Sequence, residues 1–173
     1  YSMYVVVARC NRMLENIDKV SDMTEADRRR YIGYVHFMRG YAYYHLLMNY
    51  GPLLIVGDEV LGTSESVDYI CNEFKLATQG IYGPTEQSIS YSDRPTKGAA
   101  LALIARLRLF QASPLFNGGD AARLCFSNWK RKSDGADYVN QTYDPDRWAV
   151  AAAAAKQVIN MEYYSLFTVA PDN

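Results

Sequence analysis

The stretch VHFMRGYAYYHLLMNYGPLLIV, from Val35 to Val56, says most about the architecture of this chain. It predicts a long helix that ends at Gly51, because glycine readily takes the left-handed conformation that closes a helix. Pro52 cannot continue the helix, so the apolar residues after it are predicted to form a short strand or extended segment. Aromatic and aliphatic residues occur around the whole helix. A helix with this pattern must be covered by neighbouring elements on most of its sides.

The same helix has a recognisable beginning. The tetrad Thr24-Glu25-Ala26-Asp27 resembles a capping box with aspartate in place of glutamate, so the helix is expected to run from there to Tyr50. Gly33 and Gly40 lie seven residues apart and therefore share a face of this helix. Glycine in a helix costs about 1 kcal/mol relative to alanine. We therefore expect another helix to approach closely at this face.

Four further helices are predicted from the spacing of apolar residues and from capping residues. The predicted ranges are 1–19, 66–78, 93–113 and 144–160. Ser64 or Ser66 is expected to cap the second of them. Alanine and aromatic positions recur in register along the helices, which indicates helices stacked in pairs. The sequence predicts a mainly α fold of tetratricopeptide-like helical pairs with long irregular loops, in one domain over residues 1–173.

The longest irregular segment covers residues 115–143 and is predicted to be a loop insertion. A connection of about thirty residues is too long to be a simple turn. It is therefore expected either to be functional or to carry small elements of its own. The segment contains the densest basic run of the chain, Lys130-Arg131-Lys132, which is short and is predicted to be solvated.

The bulk composition describes a globular protein without an electrostatic preference for polyanions. Of 173 residues, 49% are hydrophobic and 21% are charged, and the net charge is −1. Nucleic acid is therefore not an expected partner. No apolar run reaches the roughly 18 residues of a membrane span. The three cysteines allow at most one disulfide, and free, buried thiols are favoured.

Residues that would support catalysis, a cofactor or a metal ion do not form a recognisable pattern. The two histidines, His36 and His45, lie nine positions apart on one predicted helix and point to opposite faces. No phosphate-binding loop or nucleophile motif occurs, and the spacing of carboxylates does not mark a glycosidase pair. The sequence predicts a protein that is not an enzyme, with no catalytic residues, no cofactor and no metal site.

Aromatic residues and amides in the predicted loops are the strongest candidates for ligand binding. Sugar rings stack their C–H faces on aromatic rings, and neighbouring amides hydrogen-bond their hydroxyl groups. The alternative is that these aromatic rings pin irregular loops to the helices, and the sequence leaves both uses open. The candidates are Tyr82, Tyr91, Trp129, Tyr138, Tyr143, Asn128 and Asn140.

Several patches of the chain, taken together in their order and spacing, resemble the SusD/RagB family. The segment RGYAYYHL over residues 39–46, followed by the turn Tyr50-Gly51-Pro52, is similar to the most recognisable helix of that family. Further matches are RPTKGAALAL over residues 94–103, ASPLFN over residues 112–117, and the run over residues 148–166. Each patch alone is weak, whereas the ordered series is specific.

Members of that family are cell-surface glycan-binding lipoproteins. The resemblance implies a non-catalytic protein on the extracellular face of the outer membrane, which binds an oligosaccharide and delivers it to a SusC-like TonB-dependent transporter. It also implies a longer chain attached to the membrane only through a lipid anchor, and no cysteine here has the context of such an anchor, so a partial chain is expected. The family supplies no residue motif for glycan contacts. The alternative is a helical scaffold that binds another protein without binding sugar.

Overall fold

Six α-helices make up most of the described structure. The computed structural model describes residues 2–55, 60–83, 85–86, 93–166 and 168. The helices are α1 (Ser2–Asn16), α2 (Glu25–Tyr50), α3 (Thr63–Thr78), α4 (Lys97–Ala112), α5 (Asp120–Phe126) and α6 (Asp146–Ile159). The β pairing among these residues consists of two isolated bridges, so the mainly α prediction is confirmed. Within this part of the chain, no helix combines the length and hydropathy needed to cross a bilayer.

The helices pack largely in the order in which they occur along the chain. Helix α1 packs on α2, α2 on α3, α3 on α4, and α4 on α6. This serial stacking is the tetratricopeptide-like arrangement that the sequence predicts. The core lies between α2, α3 and α4, and its largest fully buried side chains include Tyr43, Leu53, Ile70, Phe74 and Leu107.

Local signals fix both ends of α2. Thr24 Oγ1 accepts a hydrogen bond from the Asp27 N–H at 3.1 Å, which is the predicted N-cap interaction. At the other end, Gly51 has a φ of +78° and donates its N–H to the carbonyl oxygen of Leu47 at 3.0 Å. A residue without a Cβ takes this conformation at little cost. The predicted glycine stop is therefore confirmed.

The two glycines of α2 lie where α3 and the loop after it come closest. A Cβ on Gly33 would be 2.9 Å from the backbone nitrogen of Ile81 and 3.0 Å from the carbonyl oxygen of Ala77. A Cβ on Gly40 would be 3.1 Å from the Cβ of Glu73. The predicted close approach at this face is confirmed, and at Gly33 the neighbouring atoms belong to the backbone.

We expect Gly33→Ala to lower the free energy of unfolding by about 1–3 kcal/mol, although alanine has the higher helix propensity. The added methyl group meets backbone atoms that move only if the end of α3 shifts. Gly40→Ala should cost less, because the nearest neighbours there are the side chains of Glu73 and Phe74. Urea unfolding of both variants measures the difference. A Gly33→Ala protein as stable as the wild type would contradict the close packing.

Helix α3 begins earlier than predicted, at Thr63 with Gly62 as the N-cap residue. The carboxylate of Glu65 accepts the Gly62 N–H at 2.7 Å, which satisfies the backbone at this end. Ser66 does not cap the helix, because its buried hydroxyl accepts the Leu53 N–H at 3.3 Å. This contact ties the extended segment after Gly51 to the first turn of α3.

Two further differences from the prediction concern the cap of α3 and the start of α4. Ser64 is not the cap of α3, since its hydroxyl accepts a hydrogen bond from Arg147 at 2.9 Å. Helix α4 begins at Lys97, later than predicted, because Thr96 Oγ1 accepts the Ala99 N–H at 3.3 Å and ends the preceding loop.

The long segment at residues 115–143 carries a helix that the sequence pattern does not reveal. Helix α5 is seven residues long and follows Gly118 and Gly119, whose φ angles are +78° and +83°. The segment therefore carries small elements, which is one of the two possibilities the sequence left open. The single-domain organisation of residues 1–173 stays a prediction.

The three cysteines are free thiols. Cys10 and Cys71 are buried, as predicted, whereas Cys125 is exposed. Burial raises the pKa of the Cys71 thiol to about 11. This thiol is therefore protonated and unreactive at neutral pH.

A buried ion pair joins α1, α2 and α3. The Glu73 side chain is 3% exposed and accepts two hydrogen bonds from Arg39, at 2.7 and 2.8 Å. Arg39 also donates to Asn11 Oδ1 at 2.8 Å, and His36 Nδ1 lies 3.1 Å from Glu73 Oε2. Burial acts against the charged carboxylate, but hydrogen bonds from His36 and Arg39 outweigh it and lower the pKa of Glu73. The cluster thus links the three helices through charged hydrogen bonds.

Candidate functional site

Residues 129–138 form a short hairpin directly after α5, which we call the tryptophan hairpin. The Tyr138 N–H donates to the carbonyl oxygen of Trp129 at 3.2 Å, and the Arg131 N–H donates to that of Ala136 at 2.7 Å. These bonds pair the two arms of the hairpin. The fold therefore places Trp129 and Tyr138 opposite each other at its open end.

A charged clamp holds the turn of the tryptophan hairpin. Arg131 donates two hydrogen bonds to the carboxylate of Asp134, from Nε at 2.9 Å and from Nη2 at 2.6 Å. The Ala136 N–H donates to the same carboxylate at 2.9 Å. Arg131 and then the backbone N–H lower the pKa of Asp134 to about 2. The clamp therefore stays charged throughout the neutral and mildly acidic range.

Two helix ends position the tryptophan hairpin. At the start of α3, the Thr63 N–H donates to the carbonyl oxygen of Tyr138 at 2.7 Å. At the end of α2, a Cβ on Gly51 would lie 3.2 Å from Cη2 of Trp129. The glycine that stops α2 therefore also leaves room for the indole ring.

An aromatic row connects the tryptophan hairpin to the helices. Successive ring centroids are 4.1, 6.1, 5.7 and 5.4 Å apart. The row consists of Phe110, Phe116, Phe126, Trp129 and Tyr138. Trp129 lies near the end of this row and is still 41% exposed. The indole therefore packs on its neighbours and still presents surface to solvent, and its use in ligand binding stays a prediction.

One side of the tryptophan hairpin opens into a cavity of about 450 Å³, which we call the basic cavity. Its lining consists of Val60, Trp129, Tyr138 and residues 130–133. Three of these residues are basic, and among the described residues that line the cavity none carries a carboxylate. The basic cavity therefore combines aromatic rings with cationic donors.

A second cavity, of about 220 Å³, shares Tyr138 and Arg131 with the first, and we call it the polar cavity. Its lining consists of residues 62–65, Arg131, residues 136–138, Asn140 and Arg147. Arg147 is held by the hydroxyl of Ser64 at 2.9 Å and by the carbonyl oxygen of Phe116 at 3.1 Å. Positively charged, negatively charged and neutral polar side chains all line this cavity. Such a mixture of hydrogen-bond donors and acceptors suits the hydroxyl groups of a ligand.

The structure brings three of the predicted site residues together at the two cavities. Trp129 and Tyr138 line the basic cavity, and Tyr138 and Asn140 line the polar cavity. Asn128 is exposed next to Trp129, and Tyr143 is about half exposed in the loop before α6. These residues lie in one continuous segment of chain. Whether they contact a ligand stays a prediction.

One predicted residue, Tyr82, is separated from this group. Tyr82 lies in the loop after α3, where the guanidinium carbon of Arg30 is 5.0 Å from its ring centroid. The tryptophan hairpin docks at the opposite end of α3, and a helix of 16 residues is about 24 Å long. Tyr91 lies outside the described residues.

Sequence reasoning missed the basic residues of the site. The prediction that the run 130–132 is solvated is wrong for Arg131, whose side chain is 14% exposed and clamps the hairpin. The available signal was the position of this run directly after Trp129. Arg147 was also missed, because its partners Ser64 and Phe116 are distant in sequence.

A larger groove of about 650 Å³ lies between α1, α2 and the loop before α4. It is lined mainly by apolar side chains, and Met13, Tyr31 and Met38 are exposed along it. Helix α2 is therefore covered on most sides, as predicted, and is open along this one face. Few polar groups converge here, so the groove is a poorer site for a sugar.

Comparisons with known proteins identify a family and a fold. The family model SusD-like_3, described as "Starch-binding associating with outer membrane", matches residues 1–109. The solved structure BT4246 has a TM-score of 0.81 and 23% identity, over 92% of this chain and 29% of that chain. A SusD-like protein of Bacteroides fragilis NCTC 9343 (BF3747) has a TM-score of 0.57 and 31% identity, over 64% of this chain and 23% of its own.

A third structure, surface glycan-binding protein A from Bacteroides fluxus, has a TM-score of 0.64 and 17% identity, over 95% of this chain and 30% of that chain. No protein with a curated functional description matches. The chain spans 29% of the length of BT4246. The matched residues 1–109 include α1, α2, α3 and most of α4, which is more than half of the chain. The chain therefore belongs to the SusD-like family.

Proposed function

We propose that this protein binds oligosaccharides without cleaving them, on the extracellular face of the outer membrane. It then delivers the ligand to a SusC-like TonB-dependent transporter. Family membership supports the proposal, because the matching family is described as starch-binding and associated with the outer membrane. The similar fold of a surface glycan-binding protein from Bacteroides fluxus is in keeping with it.

The observation that carries the proposal is the exposed indole of Trp129, which lines the basic cavity next to the polar cavity. A pyranose ring stacks its C–H face on such a ring, and its hydroxyl groups then need fixed donors and acceptors. Tyr138 and Arg131 line both cavities, and Asn140 adds an amide in the polar cavity. The tryptophan hairpin thus offers the apolar face and the polar edges that a sugar requires.

The carboxylates around the tryptophan hairpin favour binding over hydrolysis. Asp134 is clamped by Arg131, Asp137 pairs with Lys130 at 2.5 Å, and Glu65 accepts the Gly62 N–H. A glycosidase needs a carboxylic acid with a raised pKa opposite a second carboxylate. The lowered pKa of Asp134 is the reverse of that requirement. These acids therefore act as structural partners of the hairpin.

Affinity-gel electrophoresis across a broad panel of neutral and charged glycans tests this function. We expect retardation of the full-length protein in at least one gel, with the glycan recovered at its original length. Retardation in none of the gels would contradict sugar binding. Shortening of the glycan by the protein, abolished by substitution of one carboxylate residue, would show an enzyme instead.

A second candidate function is a helical scaffold that binds another protein without binding sugar. The apolar groove between α1 and α2 favours it, since exposed apolar surface of this kind often marks a protein contact. Co-purification of a transporter together with no affinity for any glycan in the panel would support the scaffold. Glycan binding by the tryptophan hairpin would rule it out as the sole function.

A further inference from the structure

We propose that the basic cavity selects sugars that carry an anionic substituent, either the carboxylate of a uronic acid or a sulfate ester. This inference rests on the proposed function, because it names the class of glycan that the tryptophan hairpin binds. It goes further than family membership, since a starch-type glycan is neutral. The argument depends on charge, geometry and the aromatic surface of the cavity.

The ion pairs around the tryptophan hairpin leave one of its basic side chains without a paired carboxylate among the described residues. The hairpin contains three basic and two acidic side chains. Lys130 pairs with Asp137, and Arg131 pairs with both Asp134 and, at 3.5 Å, Glu65 of α3. Lys132 is exposed and has no ion-pair partner among the described residues. Lys132 is therefore the basic side chain of the hairpin with which no described carboxylate pairs.

The position of this cation fits an acidic sugar. Lys132 lines the same cavity as the rings of Trp129 and Tyr138, whose centroids are 5.4 Å apart. A sugar ring stacked on the indole would therefore lie in a cavity that Lys132 also lines. An anionic substituent there gains a charge-assisted hydrogen bond from the ammonium group, whereas a hydroxyl group gains only a neutral one. Selectivity for the charged form follows from this difference.

A polyanion recognised by charge alone would need more unpaired basic side chains than this site contains. Nucleic acids and similar polymers are bound by several cations that act together. Here two of the three basic side chains are already committed to carboxylates. The aromatic face must therefore contribute to the affinity, and the ligand is a sugar with a charge.

The test compares two matched pairs of oligosaccharides by isothermal titration calorimetry. One pair is an oligogalacturonide and its methyl ester, which reports on carboxylate. The other pair is a chondroitin oligosaccharide with and without sulfate, for which a higher affinity of the sulfated member reports on the sulfate ester. We expect the more highly charged member of at least one pair to bind about two- to fivefold more tightly, the range that one exposed ion pair supplies. The ratio should fall as salt is raised.

Variants of two exposed lysines assign the effect. Lys132→Gln should move the affinity ratio of the preferred pair towards one. Lys75→Gln should leave it unchanged, because Lys75 lies 12 residues along α3 from Thr63, or about 18 Å at the helical rise. An unchanged ratio in Lys132→Gln would overturn the inference, as would equal binding of both members of both pairs by the wild type.

The two proposals fail in different ways. Binding of neutral glycans without any preference for charge would overturn this inference and leave the proposed function in place. Binding of no glycan in either form would overturn both. Binding of unrelated polyanions with the same affinity as acidic sugars would show that charge alone is recognised, which also contradicts the inference.

Discussion

Replacing Glu73 with alanine is expected to lower the free energy of unfolding by about 3–5 kcal/mol. The carboxylate is almost fully buried and accepts two hydrogen bonds from the guanidinium group of Arg39. His36, which lies on α2 like Arg39, also contacts it. Removing it leaves a guanidinium group in the interior without its counter-charge. The cost is large because α1, α2 and α3 all meet at this cluster. Urea unfolding followed by far-UV circular dichroism measures it.

A matched control is available on the same helix. Asp68 also pairs with an arginine, Arg108, at 2.5 Å, but its side chain is 60% exposed. Asp68→Ala should therefore cost less than about 1 kcal/mol. If Glu73→Ala does not fold, Glu73→Gln keeps the shape and removes only the charge, and it should still cost more than the Asp68 variant. Equal losses for the two sites would contradict the account of the buried cluster.

The stabilisation by Glu73 has a defined pH dependence. Its pKa is lower in the folded protein than in the unfolded chain. The contribution is therefore fully present above the ordinary carboxylate pKa of about 4.3 and is lost as pH falls through the lowered value. The difference in stability between the wild type and Glu73→Gln should narrow in acid.

Trp129→Ala is expected to weaken glycan binding about tenfold or more, a loss of at least about 1.4 kcal/mol. The indole is the exposed aromatic surface of the proposed site, and its removal takes away the stacking face. Trp148→Ala is the matched control, because Trp148 is 42% exposed on α6 and does not line either cavity. Calorimetric titration of the same glycan into both variants measures the effect, and circular dichroism checks that both are folded. Similar affinities for the two variants would contradict the assigned site.

Local sequence signals were enough to predict both ends of α2, because each signal acts within a few residues. Thr24 caps the helix through the N–H three residues later, and Gly51 ends it through its own backbone conformation. The face marked by Gly33 and Gly40 also predicted a close neighbour. The identity of that neighbour, α3 and its following loop, is a tertiary fact that the pattern does not contain.

Helix α5 and the buried ion pair could not be predicted from local sequence. Seven residues are too few to form a stable helix alone, and α5 is held by the packing of Phe126 between Phe116 and Trp129. Arg39 and Glu73 are 34 residues apart, so their pairing depends on how α2 and α3 meet.

The candidate site was predicted only in part, because contacts between residues distant in sequence complete it. Aromatic residues in loops were easy to select, and Trp129 and Tyr138 do lie together in the tryptophan hairpin. The sequence could not tell which end of α3 each loop would reach, so Tyr82 was grouped with residues from which the fold separates it. The role of Arg131 was hidden because its clamp depends on the hairpin turn.

The most direct test of sugar recognition at the tryptophan hairpin uses intrinsic fluorescence. These 173 residues contain two tryptophans, so Trp148→Ala leaves Trp129 as the only indole within them. Titration of this variant with a glycan that retards the protein in gels should give a saturable change in emission, and chromatography should recover the sugar intact. No saturable change, or a change of the same size in Trp129→Ala, would contradict binding at this site.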